Sequence, residues 1–167
     1  VPGHRDRRDF QAADTKSSMR RIGFVVNPIA GMGGRVGLKG TDGQVAEARN
    51  RGAEPRAPDR GEAVLSALAD AGESVEVFTW GGAMGEEEAE GVDFPVTVLG
   101  EPAEGDTDAG DTRTAVSAFL EADVDLVLFV GGDGTAVDVA EALDGTDVPI
   151  FGVPAGVKVY SAVFGVT

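Results

Sequence analysis

Apolar positions along this chain come in short unbroken runs, separated by stretches with a helical period. Five runs predict strands: Ile22–Val26, Val75–Thr79, Val96–Leu99, Leu126–Val130 and the shorter Ile150–Val153. Most are continuous rather than alternating, the pattern of strands buried on both faces of a parallel sheet. Between them, "DRGEAVLSALADAG" gathers Val64, Leu65 and Leu68 on one helical face, with Asp59 as the expected N-cap and Gly72 as the stop. "DTRTAVSAFLEA" and "TAVDVAEALDG" behave the same way, the second predicting a helix from about Thr135. Strands alternating with helices predict an α/β fold: three layers, a mostly parallel sheet with helices on both faces. Ligands of such sheets lie at the carboxyl ends of the strands.

The pattern also divides the chain. Residues 1–19 are polar, charged and aperiodic, which predicts a disordered extension ahead of an α/β domain over residues 20–167. Met19, two arginines and a strand together read as a natural start. "GEPAEGDTDAGD" reads as a mobile loop. At the other end, "VPAGVKVYSAVFGVT" reads as the opening of a further helix. Either the domain is complete there, or it is the front part of a longer protein.

Charge narrows the partners. The net charge is −15, and between Glu86 and Asp147 eighteen acidic residues face one basic residue, Arg113. A general affinity for nucleic acid or an anionic membrane does not fit that balance. Lysine is scarce, three against eleven arginines. An acidic, lysine-poor, Ala- and Val-rich chain resembles the proteins of salt-loving organisms, in which carboxylates keep the surface solvated. No apolar run approaches the roughly 20 residues of a membrane span. The N-terminal stretch lacks the apolar core of a secretory signal, so a cytoplasmic location is expected.

Elimination narrows the chemistry further. There is no cysteine, and the one histidine is His4. Ser–His and Cys–His catalysis, thiolate metal sites and HExxH zinc sites are therefore excluded. Lys39 in "GGRVGLKG" lacks the flanking residues of a Walker A loop, and "GMGGRVG" does not match the dinucleotide fingerprint.

Two glycine clusters remain, each directly after a strand: "NPIAGMGG" (Asn27 to Gly34) and "GGDGT" (Gly131 to Thr135). Glycines let the backbone approach a ligand closely. Successive N–H groups make an anion nest, and a helix N-terminus adds more donors at the same place. Two such loops at one sheet edge would cradle a polyphosphate. Asp133, an anion in such a place, calls for a role: general base for an attacking hydroxyl, Mg²⁺ ligand, or a turn residue that caps the next helix. Lys39 and Lys158, both in glycine-containing loops of a chain that avoids lysine, are candidate point charges on a phosphate. For Lys158 an exposed helix position is the other reading.

"GGDGT" with an upstream "NPxxG" resembles the superfamily of NAD kinases, diacylglycerol and sphingosine kinases and 6-phosphofructokinases. The longer blocks "GFVVNPIAGMGGRVGLKGTDG", "DLVLFVGGDGTAVDVAEAL" and "VPIFGVPAGVKVYSAVFG" resemble the archaeal and bacterial ATP–NAD kinase-like family, from about residue 21 to the end. The resemblance implies phosphoryl transfer from ATP or polyphosphate, with Mg²⁺, to a ribose hydroxyl of NAD⁺. It implies that Asp133 is the base, that Gly131, Gly132, Gly134 and Thr135 contact phosphates, and that Asn27, Pro28, Gly31, Gly33 and Gly34 form the donor-side loop. Lys39 falls on the pocket rim, and Gly156 and Lys158 on a loop passing the nucleotide. The resemblance also implies a β-rich C-terminal domain in relatives, which is expected to be absent here, and oligomers are common among them. The competing expectations are a nucleotide-binding module without turnover, and a kinase for another small alcohol or a lipid.

Overall fold

In the computed structural model, which describes residues 19–32, 45–104, 106–156 and 159–165, strand β1 (Arg20–Val26) is the centre of a five-stranded parallel sheet. The chain continues through α1 (Val45–Asn50), α2 (Ala57–Asp70), β2 (Val75–Thr79), a 3₁₀ turn at Gly82–Met84 and β3 (Val96–Val98). It ends with α3 (Ala109–Glu121), β4 (Leu126–Gly131), α4 (Asp133–Ala142) and β5 (Ile150–Pro154). The spatial order is β3-β2-β1-β4-β5, and every pairing is parallel. Helices cover both faces, so the predicted three-layer α/β fold is the one observed. Apart from Met19, the predicted N-terminal extension lies outside the described residues.

The continuous apolar runs follow from this burial. In β1, Ile22, Phe24 and Val26 point into a core with Leu65 of α2 and with Leu128 and Val130 of β4. Val25 points the other way, into a core with Val116 and Phe119 of α3, Phe129 of β4 and Val139 of α4. Alternation still exists, but both faces are dry. A Cβ at Gly23 would come 2.7 Å from Phe119, so the missing side chain lets that residue pack closely on β1. Burying such a ring contributes on the order of 2–3 kcal/mol.

Helix starts differ from expectation by a few residues, for local reasons. α2 begins at Ala57 rather than after Asp59, because Pro58 suits the first turn, where no N–H is needed. Asp59 then lies inside that turn, favourable to the helix dipole but not a cap. α3 begins at Ala109. Asp108 accepts from the N–H groups of Gly110 and Asp111, while Asp111 accepts from the Asp108 N–H, a reciprocal capping box. Asp111 also accepts from the Ala103 N–H at 2.9 Å, so part of the loop expected to be mobile is tied to the helix. Arg113, the one basic residue of the acidic stretch, binds Asp138 at 2.6 Å and Glu141 at 3.4 Å and so links α3 to α4.

The helix expected after β5 is not found among the described residues. Instead the Gly152 N–H donates to Val163 O (2.8 Å) and the Gly165 N–H to Gly152 O (3.1 Å). Phe164 packs edge-on against Phe129 with centroids 5.5 Å apart. These non-local bonds take the backbone groups a helix would need.

Candidate functional site

The sheet order reverses between β1 and β4. From β1 the chain moves outward to β2 and β3, then returns to β4 on the opposite side of β1. The loops leaving β1 and β4 therefore lead to connections on opposite sides of β1, and their carboxyl ends mark the place where open α/β sheets bind ligands. Both glycine clusters begin there.

The two loops are joined directly. The Asn27 N–H donates to Val130 O at 2.9 Å, one step beyond the paired strands. Its side-chain amide donates to Thr135 Oγ1 at 3.0 Å, and its Oδ1 accepts from the Ile29 N–H at 3.3 Å. Thr135 is 4% exposed. A Cβ at Gly131 would run into its side chain, so this tight strand-to-helix turn requires glycine. Pro28 and Ala30 form the turn that follows, with the Ala30 N–H on Asn27 O.

A third segment closes in from β5. The Ala155 N–H donates to Gly131 O at 2.9 Å. Gly31 has φ +84°, and a Cβ there would collide with the Ala155 carbonyl oxygen. Only glycine meets both demands. Gly156 follows directly, partly exposed. The structure thus brings together Asn27, Pro28, Gly31, Gly131, Gly132, Asp133, Gly134, Thr135 and the Ala155–Gly156 turn. Gly33, Gly34, Lys39 and Lys158 lie outside the described residues.

α4 starts at Asp133, two residues earlier than expected, with Gly132 as N-cap and no side-chain cap. Its first-turn N–H groups are thus left without a capping side chain, as an anion site requires. Asp133 does not cap its own helix. Its Oδ1 accepts from the Ser161 hydroxyl (2.8 Å), the Ser161 N–H (2.9 Å) and the Tyr160 N–H (3.0 Å), and the last also reaches Oδ2 at 3.0 Å. Desolvation alone would raise its pKa. The bonds from the Ser161 N–H, the Tyr160 N–H and the Ser161 hydroxyl outweigh that and hold the carboxyl below its usual value. Sequence reasoning missed Ser161 and Tyr160, which approach Asp133 only through the fold.

It also missed Glu88. This residue is 4% exposed, in the turn after β2, close against Gly61 of α2, where a Cβ would come 2.9 Å from its Cγ. Its Oε2 has no hydrogen-bond partner among the described residues. Burial, with smaller contributions from Glu87 and Glu62, pushes its pKa from 4.5 to about 7, against weaker lowering by the backbone amides of Glu88 and Gly85. Among the described residues no group of three acidic side chains is arranged to hold a metal. A metal at this site would be held by phosphate oxygens, with Asp133 as the neighbouring carboxylate.

Fold and site define a class: a doubly wound parallel α/β domain with glycine loops converging at the switch point. The chain belongs to the ATP-NAD kinase N-terminal domain family, whose model matches residues 22–167. No curated protein and no solved structure matches it. No helix among the described residues is long and apolar enough to cross a membrane.

Proposed function

We propose that this chain binds a phosphoryl donor, ATP or polyphosphate, at the carboxyl ends of β1 and β4 and passes its terminal phosphoryl group to a ribose hydroxyl of NAD⁺, giving NADP⁺. The observation that carries this reading is the convergence of three loops on the uncapped N-terminus of α4. Backbone N–H groups of Gly132, Gly134 and Thr135 receive the phosphates. The Asn27–Gly31 loop, pinned to Thr135 by Asn27, forms the facing wall. Mg²⁺, when bound with the donor, neutralises phosphate charge beside Asp133.

The ribose oxygen bonds to the terminal phosphorus as the bond from that phosphorus to the leaving nucleoside diphosphate, or to the shortened polyphosphate, breaks. The hydroxyl proton passes to Asp133. A loose transition state releases that proton late, so an oriented carboxylate of low basicity is adequate. Three donors hold Asp133 in that charged form. The soluble nucleotide is the partner in this reading, with a cytoplasmic location and self-association proposed from the family.

The test is NADP⁺ formation by the purified chain with Mg²⁺, ATP or polyphosphate, and NAD⁺, at low salt and in molar KCl. Turnover that requires Asp133 supports the reading. Stabilisation by ATP without any NADP⁺ would replace it with a binding module, and turnover only on another alcohol would move the acceptor.

A further inference from the structure

The two oxygens of Asp133 are not equivalent. Oδ1 receives three donors, from the Ser161 hydroxyl, the Ser161 N–H and the Tyr160 N–H. Oδ2 receives only the shared branch of the Tyr160 bond. A carboxylate oxygen has about two lone-pair directions, so Oδ1 is saturated and Oδ2 retains acceptor capacity.

We propose that Ser161 is a positioning residue for Asp133: its hydroxyl and N–H engage Oδ1, fix the rotation of the carboxylate and leave Oδ2 for the substrate hydroxyl. This inference rests on the phosphoryl-transfer reading above. The terminal torsion of an aspartate is broad and roughly two-fold, so an unheld carboxylate exchanges its oxygens and loses alignment. Ser161 can hold it because its own segment is anchored. Two residues further on, Val163 O accepts from the Gly152 N–H at 2.8 Å. Phe164 then packs on Phe129. The clamp is thus fastened to the outer edge of β5, and α4 carries the residue it grips. The hydroxyl is the replaceable part. Alanine removes one of the three donors to Oδ1 and keeps both peptide N–H groups, whereas threonine keeps all three.

The experiment compares wild type, Ser161→Ala and Ser161→Thr in the full chain by NADP⁺ formation with Mg²⁺-ATP and NAD⁺. Hydrogen exchange at the Tyr160 and Ser161 amides is measured in wild type and in Asp133→Ala. Ser161→Ala is expected to lower kcat about tenfold, the kinetic equivalent of one hydrogen bond to a charged group. KM for ATP should stay within about twofold, since the phosphate-binding amides are untouched, and Ser161→Thr should restore most of kcat. Both amides should be protected in wild type and exchange at least about tenfold faster in Asp133→Ala. A Ser161→Ala enzyme with unchanged kcat, or a loss that threonine does not restore, overturns the positioning role. Amide exchange indifferent to Asp133→Ala overturns the clamp. If the wild-type chain makes no NADP⁺ from either donor, the phosphoryl-transfer reading fails instead. Amide exchange alone then decides the clamp: faster in Asp133→Ala upholds it, unchanged overturns it.

Discussion

Two carboxyl groups near the same edge of the sheet meet opposite environments. Asp133, in the turn after β4, is held by three donors from a segment 27 to 28 residues away in sequence, and its pKa is lowered. Glu88, in the turn after β2, is 4% exposed, leaves Oε2 without a partner among the described residues, and has its pKa pushed to about 7. The first turn lies on the switch point and the second lies beside it. The contrast separates a carboxylate built to remain charged from a carboxyl buried at a cost in stability.

Exchanging the two sites in an activity assay tests the contrast at its largest. Asp133→Ala is expected to lower NADP⁺ formation by about 10²–10⁴-fold, the range for loss of an acid–base group. Glu88→Gln should leave turnover within about twofold. The reverse ranking would put the chemistry beside β2 and end the case for the β4 turn.

The crowding that holds the Asp133 side together is the next lever. Gly31→Ala forces a side chain into φ +84° and against the Ala155 carbonyl. About 1–2 kcal/mol for the left-handed backbone and the collision together predict a loss of about 2–4 kcal/mol in urea unfolding. Gly72, at the end of α2, has φ +68° with open space around it, so Gly72→Ala should lose only about 1 kcal/mol. Equal losses would mean that the Gly31–Ala155 contact relaxes freely and that the third loop is not firmly seated.

Much of the fold was legible because burial on both faces writes continuous apolar runs. All five strands were found, Val75–Thr79 with both ends right and the other four with one end off by a residue or two. Helix starts were less legible. Asp108 and Asp111 cap each other, yet Asp108 sat in a stretch that read as loop and the helical pattern was read only from Asp111. The six-residue α1, "VAEARN", has too short an apolar pattern to register. The final segment was misread as helix because the bonds that prevent it come from Gly152 and Asp133, and no local pattern contains them. The site divides in the same way. Its glycine loops are local motifs and stood out. Ser161 lies 28 residues from the carboxylate it binds, and Glu88 sits in a run of glutamates that reads as solvated charge.

The pH dependence of stability gives the smallest effect and the sharpest form of the contrast. Below pH 4.5, Glu88 is protonated in both folded and unfolded chains and contributes no pH dependence. From 4.5 up to about 7 the folded chain keeps a proton that the unfolded chain has released, so stability falls as pH rises. Above about 7 the full cost of the buried charge is present, up to about 3 kcal/mol for a shift of this size. Glu88→Gln removes the charge but leaves an amide short of partners, so a gain of about 2 kcal/mol is expected at pH 8.5 and almost none at pH 4.5. Asp133→Asn should run the other way. A lowered carboxyl stabilises the fold above its unfolded pKa and loses that contribution as pH falls through its folded value, so the variant should be destabilised at neutral pH and approach wild type in acid. Melting curves of the three proteins check both, between pH 4.5 and 8.5 for Glu88 and on down below the unfolded Asp133 value of 3.8 for Asp133→Asn. If the Glu88→Gln curve runs parallel to wild type, Glu88 is not the strained group described above.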